Sequence, residues 1–200
     1  HNGKGQNFIG ASPERLISIR DRQLFTDALA GSISRGKTTA EDAVLANQLL
    51  QSEKERHEHR VVIDFITQSL QELGIAARLL SPRLRRLANI QHLWTPIQAK
   101  VPIDVHPLEI VAALHPTPAV GGVSRQLACK KIRTYEKFER GLYAAPLGWV
   151  NHQGDSEFIV GIRSALIDGD RARLYAGAGI VAGSNPDREI AEVRLKLQAL

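Results

Sequence analysis

The chain has 200 residues, 43% of them hydrophobic and 24% charged, with a formal net charge of +5 and a single cysteine. That much apolar material supports a packed core and excludes a disordered chain, and Cys129, being alone, excludes an internal disulfide and points to a reducing compartment, read here as a buried structural thiol. No apolar run reaches the length of a membrane span and no basic-then-apolar leader opens the chain. The basic residues are spread out, and their densest group (Arg83, Arg85, Arg86) has no interleaved aromatics, which argues against a nucleic-acid surface.

In chain order, residues 7–20 and 22–30 alternate as strands do, and Gly31 to Gly36 reads as a turn-rich loop. Thr38 or Thr39 can cap a helix that starts at Ala40, is broken once at most, and runs to Leu73, with Gly74 ending it. Residues 84–101 predict one or two strands around His92. A short helix spans Pro107 to Leu114. The stretch His115-Pro116-Thr117-Pro118-Ala119-Val120-Gly121-Gly122 is too rich in proline and glycine for regular structure. Residues 123–140 read as helix, and 143–150, 156–167 and 171–178 as strands. Loops follow at Gly177–Gly179 and Ser184–Pro186, and a last helix runs from Pro186 to the end. Strands and helices alternate without a βαβ rhythm, so the class expected is α+β. The chain has no methionine and opens at His1 on strand material, so a truncated chain is expected.

Two patterns carry chemistry. Glu55 and Glu58 lie three apart on the long helix, as do Glu189 and Glu192 on the last, so each pair shares a helix face. At 100° per residue the first pair falls in the arc of Val61, Val62, Phe65, Ile66, Leu70 and Leu73. The second falls in or beside the arc of Ile190, Val193, Leu197 and Leu200, with Lys196. Carboxylates on a core-facing stripe are costly unless paired or metal-bound, and two facing pairs would suit a hard divalent cation such as Mg2+. The competing reading is a solvated, salt-bridged face. The second pattern is Gly177-Ala178-Gly179-Ile180-Val181-Ala182-Gly183-Ser184, whose backbone N–H groups and following helix start could receive an anion, or which is simply a tight turn. Arg163, on an apolar strand, is a candidate carboxylate fork. His57 and His59 point to different helix faces, so zinc is not expected.

These residues also sit in a set of ordered strings: Ser12-Pro13-Glu14-Arg15, Ala28-Leu29-Ala30-Gly31-Ser32, Ser52-Glu53-Lys54-Glu55-Arg56-His57-Glu58-His59, Gln91-His92-Leu93, His115-Pro116-Thr117-Pro118-Ala119, Glu139-Arg140-Gly141-Leu142-Tyr143, Ile162-Arg163-Ser164-Ala165 and Ala176-Gly177-Ala178-Gly179-Ile180-Val181. Together, over nearly all 200 residues, they resemble the chorismate-binding domain of isochorismate, anthranilate, aminodeoxychorismate and salicylate synthases. His115-Pro116-Thr117-Pro118-Ala119 is most similar to the isochorismate synthase branch.

The resemblance implies an α+β fold with two large antiparallel sheets packed face to face and helices outside. On this reading residues 1–200 are the C-terminal part of one catalytic domain. It implies Mg2+ held by Glu58 and Glu192, with Glu55 and Glu189 in support. Gly31, Ser32 and Lys196 would meet the ring carboxylate of chorismate. Tyr143, Arg163 and Gly177 would hold the enolpyruvyl carboxylate. Glu14 and His92 are the implied catalytic groups, Glu14 as general acid, with His92 and Thr117 lining the ring. The implied reaction moves the hydroxyl from C4 to C2, giving isochorismate for quinone, siderophore or salicylate formation. A monomer or weak homodimer in the cytoplasm or a plastid stroma is expected, with no nucleic-acid or membrane partner. The branch's general base is a lysine upstream of the acid. Only Lys4 precedes Glu14, in a Gly-Lys-Gly context that does not match, so poor or absent turnover is expected of these 200 residues alone. The rivals are another synthase of the same fold and a non-catalytic binding remnant.

Overall fold

The computed structural model describes residues 5–198. Its strands form two antiparallel sheets with helices packed beside them, the α+β architecture expected. The larger sheet has seven strands. Along its path lie β4 (Arg78–Leu79), β6 (Ile90–Lys100), β3 (Gln23–Ser34), β2 (Arg15–Arg20), β8 (Ser156–Val160) and β7 (Pro146–Val150), and β5 (Arg83–Arg86) also pairs with β6. The smaller sheet orders β1 (Gln6–Gly10), β9 (Ser164–Asp168) and β10 (Arg171–Tyr175). The two sheets are therefore unequal among the described residues.

Period-two alternation in β3 explains the core. Leu24 and Ala28 point to one face, and join Ile17 and Ile19 of β2, Ile97 and Ala99 of β6, and Phe158 and Val160 of β8. Against that face pack α2 (Glu53–Glu72), through Val62, Ile66 and Leu70, and α3 (Pro107–Leu114), through Ile110, Val111 and Leu114. Each of these side chains contributes about 1.5–3 kcal/mol by leaving water. A second, smaller cluster joins Tyr143, Ala144 and Tyr175 to Phe8 and Leu166.

The helix boundaries follow their capping residues. Thr38 caps α1 (Thr39–Gln51) in a capping box with Glu41, and His106 caps α3 in another with Glu109. The expected single break in the long helix is at Ser52. Its extended backbone ends α1 through an N–H bond to the Gln48 carbonyl, while its hydroxyl accepts from Glu55 N and starts α2. Gly74 follows α2 at φ +71°, as a terminating glycine does.

Several expected boundaries are corrected. Residues 7–20 are two strands in different sheets, because the chain crosses between sheets at residues 11–14. Likewise the expected strand 156–167 is β8 and β9, with the second crossing at residues 161–163. The reason is packing: a Cβ on Gly161 would lie 2.5 Å from the Leu142 carbonyl, and Arg163 takes φ +48°. Gly31 to Ser34, read as loop, continue β3, with a bulge between Ala30 and Ser32. Within the stretch read as irregular, Pro118–Gly121 makes one helical turn, α4, after the cis His115–Pro116 bond. The next helix, α5, is Arg125–Tyr135. Cys129 on it is only half-buried, so it is not a core thiol. No helix among the described residues is long and apolar enough to cross a membrane.

Candidate active site

The two crossings lie side by side. Ala11 N–H donates to the Arg163 carbonyl at 3.0 Å, and Val160 N–H to the Glu14 carbonyl at 3.0 Å. Leaving one sheet for another frees side chains from the pleat, and here it turns Glu14 and Arg163 into the same space. That space is a cavity of about 760 Å³ bordered by β3 and β6 of the larger sheet, the loop that leaves β10, α2 and the last helix, α6 (Pro186–Leu197).

Ten of the expected site residues line it: Glu14, Gly31, Ser32, Glu58, His92, Tyr143, Arg163, Gly177, Glu192 and Lys196. Three others stand behind the wall. Thr117 is buried and donates its hydroxyl to Glu14 Oε1 at 3.3 Å. Glu55 accepts from Ser32 N–H at 3.0 Å, and Glu189 reaches the cavity through Lys54. Lys4, whose context does not match the implied upstream lysine, lies outside the described residues, as does Leu200.

Glu14 is 5% exposed. Burial raises its pKa to about 7, against the lowering effect of the Thr117 hydroxyl and the charge of Lys196. A carboxyl in this setting still carries its proton near neutrality. Arg163 is not on a strand, as expected from sequence, but in the second crossing. It is 6% exposed, its Nη2 is 2.7 Å from His92 Nε2, and its Nε has no hydrogen-bond partner. Tyr143 stacks on Tyr175, with ring centroids 5.1 Å apart, and burial raises its phenol pKa. A Cβ at Gly177 would sit 2.7 Å from the Tyr143 hydroxyl, so a side chain there would push that hydroxyl aside.

The acidic pairs face each other as the spacing suggested, but not as one finished ligand set. Lys54, which sequence reasoning passed over, puts its Nζ 3.2 Å from Glu189 and 3.6 Å from both Glu55 and Glu58. Its signal was the i,i+4 spacing to Glu58. Burial lowers the Lys54 pKa, and the three carboxylates more than reverse this, leaving it raised. Glu192 lies apart, 2.8 Å from the Ser32 hydroxyl that donates to it and 2.7 Å from Lys196. Ser32 thus spends both donors on protein carboxylates. Glu58 is pushed up to about 7 by burial and by the charge of Glu55, and its Oε1 has no hydrogen-bond partner. No ready-made group of three metal ligands exists among the described residues. Still, oxygen donors that repel one another, one of them buried with the Lys54 ammonium no nearer than 3.6 Å, fit a hard divalent cation.

The apolar arc read into the last helix is corrected. Ile190 is 50% exposed and so lies outside it, while Val193 and Leu197 are half-buried beside Glu192 and Lys196, with Glu189 buried, so the inward stripe mixes polar and apolar side chains. The start of α6 is also unavailable to an anion: Asn185 Oδ1 accepts from Asp187 N and Arg188 N, and Asp187 and Glu189 occupy the first turn. Instead of the helix start, Lys196 ties the glycine loop down, donating to the Gly177 carbonyl at 2.8 Å. His59 points into the core and meets Thr95 Oγ1 at 2.8 Å, away from the exposed His57.

The whole chain, residues 1–200, matches the family model described as chorismate binding enzyme. It is 47% identical over 194 residues to the salicylate biosynthesis isochorismate synthase of Pseudomonas aeruginosa, covering 96% of this chain and 41% of that one. It is 39% identical over 198 residues to an isochorismate synthase of Bacillus subtilis, covering 98% and 42%. The solved menaquinone-specific isochorismate synthase of Escherichia coli superposes with a TM-score of 0.89 at 37% identity, covering 98% of this chain and 45% of that one. The chain thus spans less than half the length of these relatives.

Proposed function

This chain belongs to the chorismate binding enzyme family, and from that premise we propose that the protein converts chorismate to isochorismate. The observation that carries the reading is the cavity's distribution of charge. A buried carboxyl that keeps its proton to about pH 7 (Glu14) shares one cavity with a buried guanidinium (Arg163) and an acidic cluster on the opposite wall. Chorismate presents matching features: two carboxylates and a hydroxyl that must leave as water.

The reaction balances as follows. A water oxygen bonds to C2, the ring double bonds shift, and the C4–O bond breaks. Glu14 delivers the proton that lets the departing hydroxyl leave as water, and the attacking water gives up one proton to the general base, for which the resemblance implies a lysine upstream of Glu14. General acid catalysis needs a group protonated at working pH and within reach, and the burial of Glu14 supports that role. Arg163, with Tyr143 at its side, would fix the enolpyruvyl carboxylate, and Gly177 would leave room for it. Gly31 and Ser32, with Lys196, would border the ring carboxylate, and Thr117 holds the Glu14 carboxyl toward the ring. Mg2+ would be held by Glu58 and Glu192, with Glu55 and Glu189 behind them, and when bound it would supply positive charge against the ring carboxylate. Orientation by two separated carboxylate contacts is itself a large part of catalysis. The lysines that line the cavity, Lys54 and Lys196, are both ion-paired to carboxylates, so the reading uses neither as base. The product would feed quinone, siderophore or salicylate formation.

The test is incubation of the full-length protein with chorismate and Mg2+, with chromatographic identification of the product. Isochorismate, reduced about a hundredfold or more in Glu14→Ala and lost in Glu192→Ala, is expected. Salicylate with pyruvate, or an amino product formed with ammonia, would move the protein to another branch of the family. No consumption of chorismate would favour a binding role.

A further inference from the structure

We propose that His92 acts on the reaction through Arg163, as a neutral hydrogen-bond acceptor that fixes the guanidinium in the cavity, and exchanges no proton with substrate. The inference rests on the isochorismate synthase reading and narrows the role of a residue that the family resemblance places at the ring.

The argument starts from what each nitrogen can do. A guanidinium has only donors and keeps its charge in proteins. Arg163 Nη2 lies 2.7 Å from His92 Nε2, so Nε2 must present its lone pair. The Gly31 backbone beside the ring acts on it in the direction that favours a ring N–H. With Nε2 occupied, that donor is Nδ1–H. The bulge in β3 makes this contact possible, because it takes Gly31 out of register between Ala30, opposite Leu93, and Ser32, opposite His92. Both nitrogens are therefore committed, and one tautomer satisfies both.

The surroundings keep the ring in that state. His92 is 6% exposed, and the charged groups acting on it are Arg163, Lys196 and Arg85, all cationic. Burial, then Arg163 and Lys196, lower its pKa to about 3. A neutral acceptor also suits the task better than a carboxylate. Glutamate at this place would neutralise Arg163 and repel an incoming carboxylate, whereas imidazole holds the guanidinium and leaves its positive charge to the ligand. Arg163 needs such support, since it sits at φ +48° with its Nε unpartnered.

The test is a double-mutant cycle in the full-length protein, using His92→Ala, Arg163→Ala, the double variant, and His92→Gln, whose amide oxygen can still accept from Arg163. Chorismate turnover with Mg2+ is measured across neutral pH, and chorismate affinity is measured by calorimetry. A positioning role predicts that His92→Ala raises KM and weakens binding by roughly 10- to 100-fold, with a smaller loss in kcat. The double variant should be no worse than Arg163→Ala alone, and His92→Gln should recover most of the binding. Losses that add in the double variant would overturn the proposal. So would equal kcat losses of about a hundredfold in His92→Gln and His92→Ala with KM unchanged, the mark of lost proton transfer. Wild-type protein that binds chorismate without turnover would sink the functional reading but leave the binding cycle decisive. Protein that neither binds nor turns over chorismate would sink both.

Discussion

A carboxyl as deeply buried as Glu14 is useful as an acid only because it is costly as an anion. Its folded-state pKa of about 7 lies above the ordinary 4.5. The sign follows from linkage: the protonated group's contribution is fully present below pH 4.5 and is lost as pH rises through about 7. The window is thus set by desolvation, with Asp27 adding to it and Thr117, Lys196 and Arg163 working against it. Glu14→Gln keeps the shape and the Thr117 contact but cannot ionise. We expect it to unfold like wild type near pH about 4.5, and to be more stable than wild type by about 3 kcal/mol near pH about 8. Urea unfolding at the two pH values measures this. The same variant should have lost the general-acid step, so stability and activity would move in opposite directions. Equal stability of the two proteins at both pH values would show that the carboxyl ionises freely and would remove the case for Glu14 as the acid.

At the scale of elements, what the sequence discloses is what local chemistry determines. Thr38, Pro107 and Pro186 mark helix starts by side chains that cap or cannot donate, and the structure keeps each one. The Glu-x-x-Glu spacings put four carboxylates on two inward faces, and that too is local. The bulge at Gly31, read as the start of a loop, and the crossing at 161–163, read as unbroken strand, were not legible. Each answers a neighbour distant in sequence: Glu55 for the first, Leu142 for the second. The place of Arg163, and the His92 tautomer that depends on Gly31, were hidden for the same reason. The bulge gives a direct test. Gly31 has φ +75°, and a Cβ there would lie 3.1 Å from Glu55 Oε2 and 3.2 Å from the Glu55 carbonyl. Gly31→Ala would combine a left-handed backbone with pressure on the first turn of α2. We expect a loss of about 1–3 kcal/mol on denaturant unfolding, and weaker Mg2+ binding, because Glu55 and Glu58 ride on that turn. A variant as stable as wild type would mean that β3 can relax without moving α2.

Over the whole molecule, the parts of the cavity differ in what holds them. The wall made by α2 is anchored by Val62, Ile66 and Leu70 in the main core. The wall made by α6 has no side chain in either hydrophobic cluster among the described residues. It is joined to the rest by polar contacts: Glu189 to Lys54, the Ser32 hydroxyl to Glu192, Lys196 to the Gly177 carbonyl, and the Asn89 amide to the Leu195 carbonyl. Such ties are worth about 0.5–1.5 kcal/mol each at most, and the exposed ion pairs less. They are also made to residues that the proposed metal and substrate would engage. An element with few buried apolar contacts opens well below the global unfolding free energy. Ligands that bridge α2 and α6 should therefore change α6 far more than α2. Hydrogen exchange of the full-length protein reads this directly. Amides of residues 189–196 should exchange faster than those of residues 62–70 when metal and substrate are withheld. Adding Mg2+ and chorismate should slow the α6 amides by at least about tenfold while leaving the centre of α2 nearly unchanged. Equal protection of the two helices without ligands would show that α6 is already locked. The acidic cluster would then be a preformed site, and binding would not be what closes the last wall of the cavity.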